Sequence, residues 1–151
     1  MLQSCGCARF AYNWALAKWK EMYEAWKLDN SLPKPKAYLI KKEFNKIKKQ
    51  EFPWIYESPK DANQQPFANL NQAFARFFKK KAKFPNFKKS KDKKSFYVSN
   101  DKFKVIEKYI FLPKIGKIKL TEELRFKGKI VGATISKIAH KWFVSVQVDT
   151  N

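Results

Sequence analysis

The chain has 151 residues, 44% hydrophobic and 17% aromatic, enough for one compact domain or two small ones with a buried core. It carries 33 Lys+Arg against 13 Asp+Glu, a formal net charge of +20, and a folded surface so charged repels itself until a polyanion neutralises it. No apolar run approaches the ~18 residues of a spanning helix, the N-terminus lacks the basic-then-apolar order of a signal peptide, and Cys5 and Cys7, the two cysteines, make no disulfide framework; the expected setting is the reducing cytoplasm, with no membrane partner.

The first predicted helix covers residues 4–28. Cys7, Phe10, Ala11, Trp14, Leu16, Trp19, Met22, Tyr23 and Trp26 recur there at helical spacing among charged residues. One cysteine is expected on the apolar face and the other pointing away. Asp29-Asn30-Ser31 and then Pro33 and Pro35 stop the helix. A second helix over 37–49 places Leu39 or Ile40, Phe44 and Ile47 on one side, and Phe52-Pro53-Trp54-Ile55 forms an apolar corner. The third runs from 59 or 61 to 81 with Phe67, Leu70, Phe74, Phe77 and Phe78 inward. Pro66 complicates its start: without an N–H, proline costs ~3 kcal/mol inside a helix, so the helix either begins near Asn63 or kinks.

Residues 76–94 form a basic segment. It holds ten cations (Arg76, Lys79, Lys80, Lys81, Lys83, Lys88, Lys89, Lys91, Lys93 and Lys94) against Asp92 alone, interleaved with Phe77, Phe78, Phe84 and Phe87. Short strands follow, over 95–99, 103–106, 109–112, 115–120, 129–138 and 141–149. In the fifth, Ile130, Gly132, Thr134 and Ser136 alternate with Val131, Ala133 and Ile135; in the sixth, Trp142, Val144, Val146 and Val148 alternate with Phe143, Ser145, Gln147 and Asp149. A turn near Ala139-His140 joins these two as a hairpin. The expected fold is α+β: a helical region 1–82, a basic linker 83–94, and a β region 95–151 forming a small sheet or incomplete barrel.

Catalytic chemistry is hard to place. The one histidine, His140, falls at a predicted turn, where a nucleophile's base is poorly positioned. Cys5-Gly6-Cys7 lacks zinc-knuckle spacing. The carboxylates are scattered: Asp29, Asp61, Asp92, Asp101 and Asp149 fall in predicted caps, turns or ends, Glu21 and Glu24 read as helix-surface charges, and adjacent Glu122 and Glu123 need not face one way. Four glycines leave no Gly-rich phosphate loop. Neither a catalytic residue, a metal, a cofactor nor a small-molecule substrate is expected. Binding chemistry is present instead. Lys and Arg neutralise phosphates and release counterions, and neighbouring aromatics can stack on unpaired bases. The bland alternative is a solvated basic tail, with Phe74, Phe77 and Phe78 in the core and Phe84 and Phe87 undecided. Residues 1–60 net +6, 61–104 net +9 and 105–151 net +5, so the excess is not confined to a tail. Asn63, Gln64, Gln65, Asn69, Asn71 and Gln72 crowd the third helix, and amides can read adenine edges.

Several stretches resemble TnpB (OrfB) proteins of bacterial and archaeal insertion sequences, an RNA-guided nuclease family. They are Gly6-Cys7-Ala8-Arg9-Phe10-Ala11-Tyr12-Asn13-Trp14-Ala15-Leu16; Phe52-Pro53-Trp54; Leu70-Asn71-Gln72-Ala73-Phe74-Ala75-Arg76-Phe77-Phe78; Phe84-Pro85-Asn86-Phe87-Lys88-Lys89; Ser95-Phe96; and Leu112-Pro113-Lys114-Ile115-Gly116, with the final hairpin. The resemblance implies a helical recognition lobe inserted in a small β-barrel, the wedge domain, which together hold a guide RNA and read a short motif on duplex DNA. It implies motif-reading roles for Tyr38, Lys60, Gln64, Ser99 and Asn100, with the lysine run on phosphates. It also implies about twenty residues before Met1, including a first wedge strand, and a RuvC-like nuclease domain after Asn151, so the chain is expected to be clipped at both ends. Without that strand the barrel has an open edge that invites association. The expected function is guide-RNA and DNA binding without cleavage; the alternatives are a nuclease-less regulator that occludes a DNA site and a non-functional transposon remnant.

Overall fold

The computed structural model describes residues 1–125 and 128–149; residues 126, 127, 150 and 151 of the expected β region lie outside the described residues. Three helices, α1 (Leu2–Leu28), α2 (Ala37–Glu51) and α3 (Lys60–Phe78), come first, with a 3-10 turn at Pro53–Glu57 between the last two. Six strands follow: β1 (Lys94–Ser99), β2 (Lys104–Ile106), β3 (Tyr109–Leu112), β4 (Gly116–Lys119), β5 (Lys129–Ile138) and β6 (Lys141–Asp149). The architecture is α+β, as expected.

The helical core is aromatic. Ala11 and Ala15 are fully buried on α1 and let α3 approach closely. Trp19 stacks on Phe74 at 4.0 Å between ring centroids, and Phe44 of α2 meets Trp14, Phe52 and Phe67. Such contacts add roughly 0.5–1.5 kcal/mol each beyond area burial. Burial along α1 fades after Trp19: Tyr23, expected inward, is 45% exposed, with its ring against Trp26 and Lys27 of its own helix. Phe78, also expected inward, is 68% exposed although its ring stays beside Phe74 and Phe77; Phe84 of the following loop meets those two rings edge-on as well. Cys5 and Cys7 are both buried, contrary to the expectation that one points away. α1 is covered by β1 on one side and by α2 and α3 on others, and burial raises both thiols. Desolvation pushes the Cys7 thiol up to about 11.

α3 starts at Lys60 and runs through Pro66, so it does not begin at Asn63. Proline leaves only the Ala62 carbonyl without its helical donor, and the neighbouring Ala62, Phe67 and Leu70 are buried, which outweighs that loss. The helix stops at Phe78, three residues before the predicted end.

The strands form two three-stranded antiparallel sheets, β1-β5-β6 and β2-β3-β4; among the described residues no barrel closes. Phe96, Val98, Ala133 and Ile135 turn one face of the first sheet into the core. A groove of about 440 Å³ opens between that face and Val105, Ile110 and Ile118 of the second sheet. A bulge between Ile130 and Gly132 breaks the predicted alternation. Ile130, expected beside Gly132 and Thr134, instead pairs with Val148 and packs on the core, while Val131 is 49% exposed.

Candidate nucleic-acid interface

Two groups of basic and amide side chains flank α3. The first lies at the junction of α2, the start of α3 and the end of β1. On α2, Tyr38, Lys41, Asn45 and Lys48 recur at three- and four-residue intervals, so they share one side of the helix. On α3, Asn63 and Gln64 turn toward them and are buried. The Lys48 ammonium donates to Asn63 Oδ1 at 3.4 Å. Gln64 Nε2 donates to Asn63 Oδ1 and to Asn45 Oδ1, the latter at 2.7 Å, and Asn45 Nδ2 donates back to Gln64 Oε1 at 3.1 Å. An ammonium can only donate, so Lys48 fixes which atom Asn63 presents, and the amide orientations of Gln64 and Asn45 follow.

Lys48 is buried, 8% exposed. It has no carboxylate in this network, only the Asn63 amide and the Tyr56 ring 5.7 Å away. Desolvation first, then repulsion from Lys60 and Lys41, pulls its pKa below the ordinary lysine value. Three cations thus stand near one another at the α2–α3 junction, and their mutual repulsion is a cost in the free protein.

Asp61, in the first turn of α3, ties β1 to this junction. Its Oδ2 accepts from the Ser99 backbone N–H at 2.9 Å and lies 2.7 Å from the Ser99 hydroxyl, which is also 2.9 Å from Asp101 Oδ1. The hydroxyl has one proton and serves one carboxylate at a time. That bond, the leading cause, holds the Asp101 carboxyl below its usual range.

Of the five residues assigned to motif reading, Lys60, Gln64, Ser99 and Asn100 therefore cluster where α3 meets β1. Tyr38 sits two turns of α2 away from Asn45 and is 66% exposed. Lys60 and Asn100 are also exposed. Gln64 is not a free side chain: its amide is engaged by Asn45 and Asn63. Asn45, Lys48 and Lys41 are absent from the sequence-derived set, although their spacing from Tyr38 was the available signal.

The second group lies beneath the basic segment. Residues 79–94 are held down as a strap across α1. Asn13 mimics a backbone strand: its Nδ2 donates to the Lys88 carbonyl and its Oδ1 accepts the Lys88 N–H, both at 2.8 Å. Pro85 is buried, Phe84 meets Phe74 and Phe77 edge-on, and Lys20 lies 4.5 Å from the Phe87 ring centroid. Phe84 and Phe87, undecided from sequence, are thus half-exposed anchors. Among the described residues, no lysine of the strap is paired with a carboxylate side chain; the ion pairs elsewhere involve Lys18, Lys27 and Arg125. Arg76 and Lys79, Lys80, Lys81, Lys83, Lys89, Lys91 and Lys93 are exposed, and Lys94 is half-buried.

The amide row of α3 divides between the two groups. Asn63 and Gln64 face α2, whereas Gln65 and Asn69 line the cleft under the strap. Among the described residues, no group of three or more His, Cys, Asp or Glu side chains is placed to hold a metal ion, and no helix is long and apolar enough to cross a membrane.

Two likenesses to known proteins bear on the chain. Residues 1–27 match an OrfB-type family described as a helix-turn-helix domain. Those residues here form the single helix α1, so no turn between two helices falls within the matched stretch. Over 99% of its length the chain is 31% identical to a protein of Escherichia coli (strain K12) named "Putative RNA-guided DNA endonuclease InsQ". It spans 37% of that relative's length.

Proposed function

We propose, from the premise that the chain corresponds along nearly its whole length to TnpB/OrfB-type insertion-sequence protein, that it binds nucleic acid and by itself performs no strand cleavage. The carrying observation is the strap: nine lysines between positions 79 and 94, anchored to α1 by Asn13 yet, among the described residues, unpaired with carboxylate side chains. A protein gains nothing in stability from fixing so many like charges together; a polyphosphate backbone supplies the missing counter-charge.

In this reading Arg76 and the strap lysines contact phosphates of DNA and guide RNA and set affinity without sequence preference. Tyr38, Lys60, Ser99 and Asn100 flank the α2–α3 junction and meet base edges of a short duplex motif, with Gln64 joining once Asn45 is displaced. Asn45 and Lys48 belong to the same set.

Binding of fluorescent duplex DNA and of structured RNA, measured by anisotropy across salt concentrations, tests the proposal. Affinity should fall steeply with salt, and each lysine changed to glutamate in 79–94 should weaken all sequences alike and reduce the salt slope by about 1. Asn100→Ala should instead cost ~1–3 kcal/mol on a preferred motif and little on others. Affinity indifferent to salt, or absent at low ionic strength, refutes the proposal.

A further inference from the structure

The cleft under the strap has a feature that phosphate contact leaves unused. On the face of the first sheet away from the core, the phenol end of Tyr97 rests over Gly132: a Cβ at position 132 would stand 2.2 Å from the Tyr97 hydroxyl oxygen and 2.6 Å from ring carbon Cζ. The glycine is what leaves room for the ring there. Among the described residues no other ring and no cation stacks on Tyr97, whereas Tyr12, across the cleft, is covered by Lys88 at 4.6 Å.

Tyr97 lines a half-open cleft of about 510 Å³, within the ~300–1,000 Å³ range of small-ligand sites. Arg9 of α1 and Lys89 and Lys93 of the strap bring positive charge to it, and Gln65 and Asn69 of α3 bring amides. The one carboxylate in the lining, Asp92, is engaged by the Lys89 backbone N–H at 2.8 Å.

A flat ring, hydrogen-bonding amides and surplus cations within one small cleft match the three parts of a nucleotide: base face, base edge and phosphate. A base inside a duplex has no free face and cannot enter; an unpaired one can stack. We infer that this cleft receives one unpaired nucleotide of a single strand, its base on Tyr97 and its phosphate on Arg9 and Lys93. The inference rests on the nucleic-acid reading above and adds a single-strand subsite to it.

The test compares an unstructured RNA oligonucleotide, single-stranded DNA of the same sequence, and a DNA duplex, each binding the full chain in anisotropy titrations. Tyr97→Leu should weaken single-strand binding roughly tenfold while duplex affinity and its salt slope stay within twofold. Tyr97→Phe, which keeps the ring, should bind single strands like the parent, and Gly132→Ala, which lifts the ring, should behave like Tyr97→Leu. Tighter binding of the RNA or of the single-stranded DNA identifies which strand supplies the nucleotide. The subsite is overturned if Tyr97→Leu, with an unchanged melt, leaves single-strand binding intact, or lowers duplex binding equally. It is also overturned if an acidic peptide competes as well as the oligonucleotide. A parent protein that binds the duplex but no single strand sinks the subsite alone; one that binds neither sinks the parent reading as well.

Discussion

Lys80 sits just past α3 with φ of 59°, the left-handed conformation that helix ends ordinarily give to glycine. The bonds around it complete the usual reversal: the Lys81 N–H reaches the Arg76 carbonyl at 2.8 Å, and the Lys80 N–H the Phe77 carbonyl at 2.9 Å. A lysine there is strained by roughly 1 kcal/mol, so Lys80→Gly should raise the melting temperature while removing one cation from the strap. A lower melting temperature would show that Lys80 makes a compensating contact. Lys48 poses the same trade inside the protein. Its folded pKa is depressed, chiefly by desolvation, so its charge opposes folding at neutral pH, and that opposition is relieved as pH rises toward the ordinary lysine value of 10.5. Lys48→Met should therefore stabilise the free protein by ~1 kcal/mol or more, with the gain shrinking at alkaline pH, and weaken DNA binding several-fold. Denaturation at pH 7 and pH 10 beside a binding titration checks both halves. If Lys48→Met is less stable at pH 7, its amide network outweighs its desolvation.

In the proposed reading the binding surface depends on the strap, and Asn13 is its clasp. Both backbone polar groups of Lys88 are satisfied by that one amide, each bond contributing roughly 0.5–1.5 kcal/mol. Asn13→Ala should loosen residues 79–94 without unfolding α1, because the stripe of Ala11, Ala15 and Leu16 does not involve Asn13. Limited trypsin digestion should then cut within the strap much faster, and affinity for every nucleic acid should fall together. Unchanged proteolysis would mean that Pro85 and Phe84 suffice as anchors. The sheets show a similar dependence on one position. The Ala139-His140 turn puts Ala139 at φ 56°, so Ala139→Gly should stabilise the β5–β6 hairpin by about 1 kcal/mol, read as a rise in denaturation midpoint.

At the scale of the molecule the net charge of +20 dominates. Three cations stand near one another at the α2–α3 junction and others surround the cleft under the strap, on opposite sides of α3. Self-repulsion of this size makes the free protein salt-sensitive in the opposite sense to its complexes: added salt screens the repulsion and should raise the melting temperature, while it weakens nucleic-acid binding. A melting temperature that falls from low to moderate salt would mean that surface ion pairs, not repulsion, control stability. Among the described residues no strand pairs with β6 on its far side in the first sheet, which gives a second whole-molecule property, a place where another strand can add.

Sequence alone determined the α+β class, the three helices and all six strands to within a few residues, because helical and alternating hydrophobic periods are local properties. It also located the charge, since composition needs no structure. Only the tertiary structure decided which local signals were used. Phe78 and Tyr23 carry the right period yet are exposed. Both cysteines are buried because α1 is covered from two sides. The basic segment, a linker by composition, is a fastened strap because Asn13, 75 positions from Lys88 in sequence, meets its backbone. Such pairings depend on distances in space between residues remote in the chain, and no period or motif within a window of sequence encodes them.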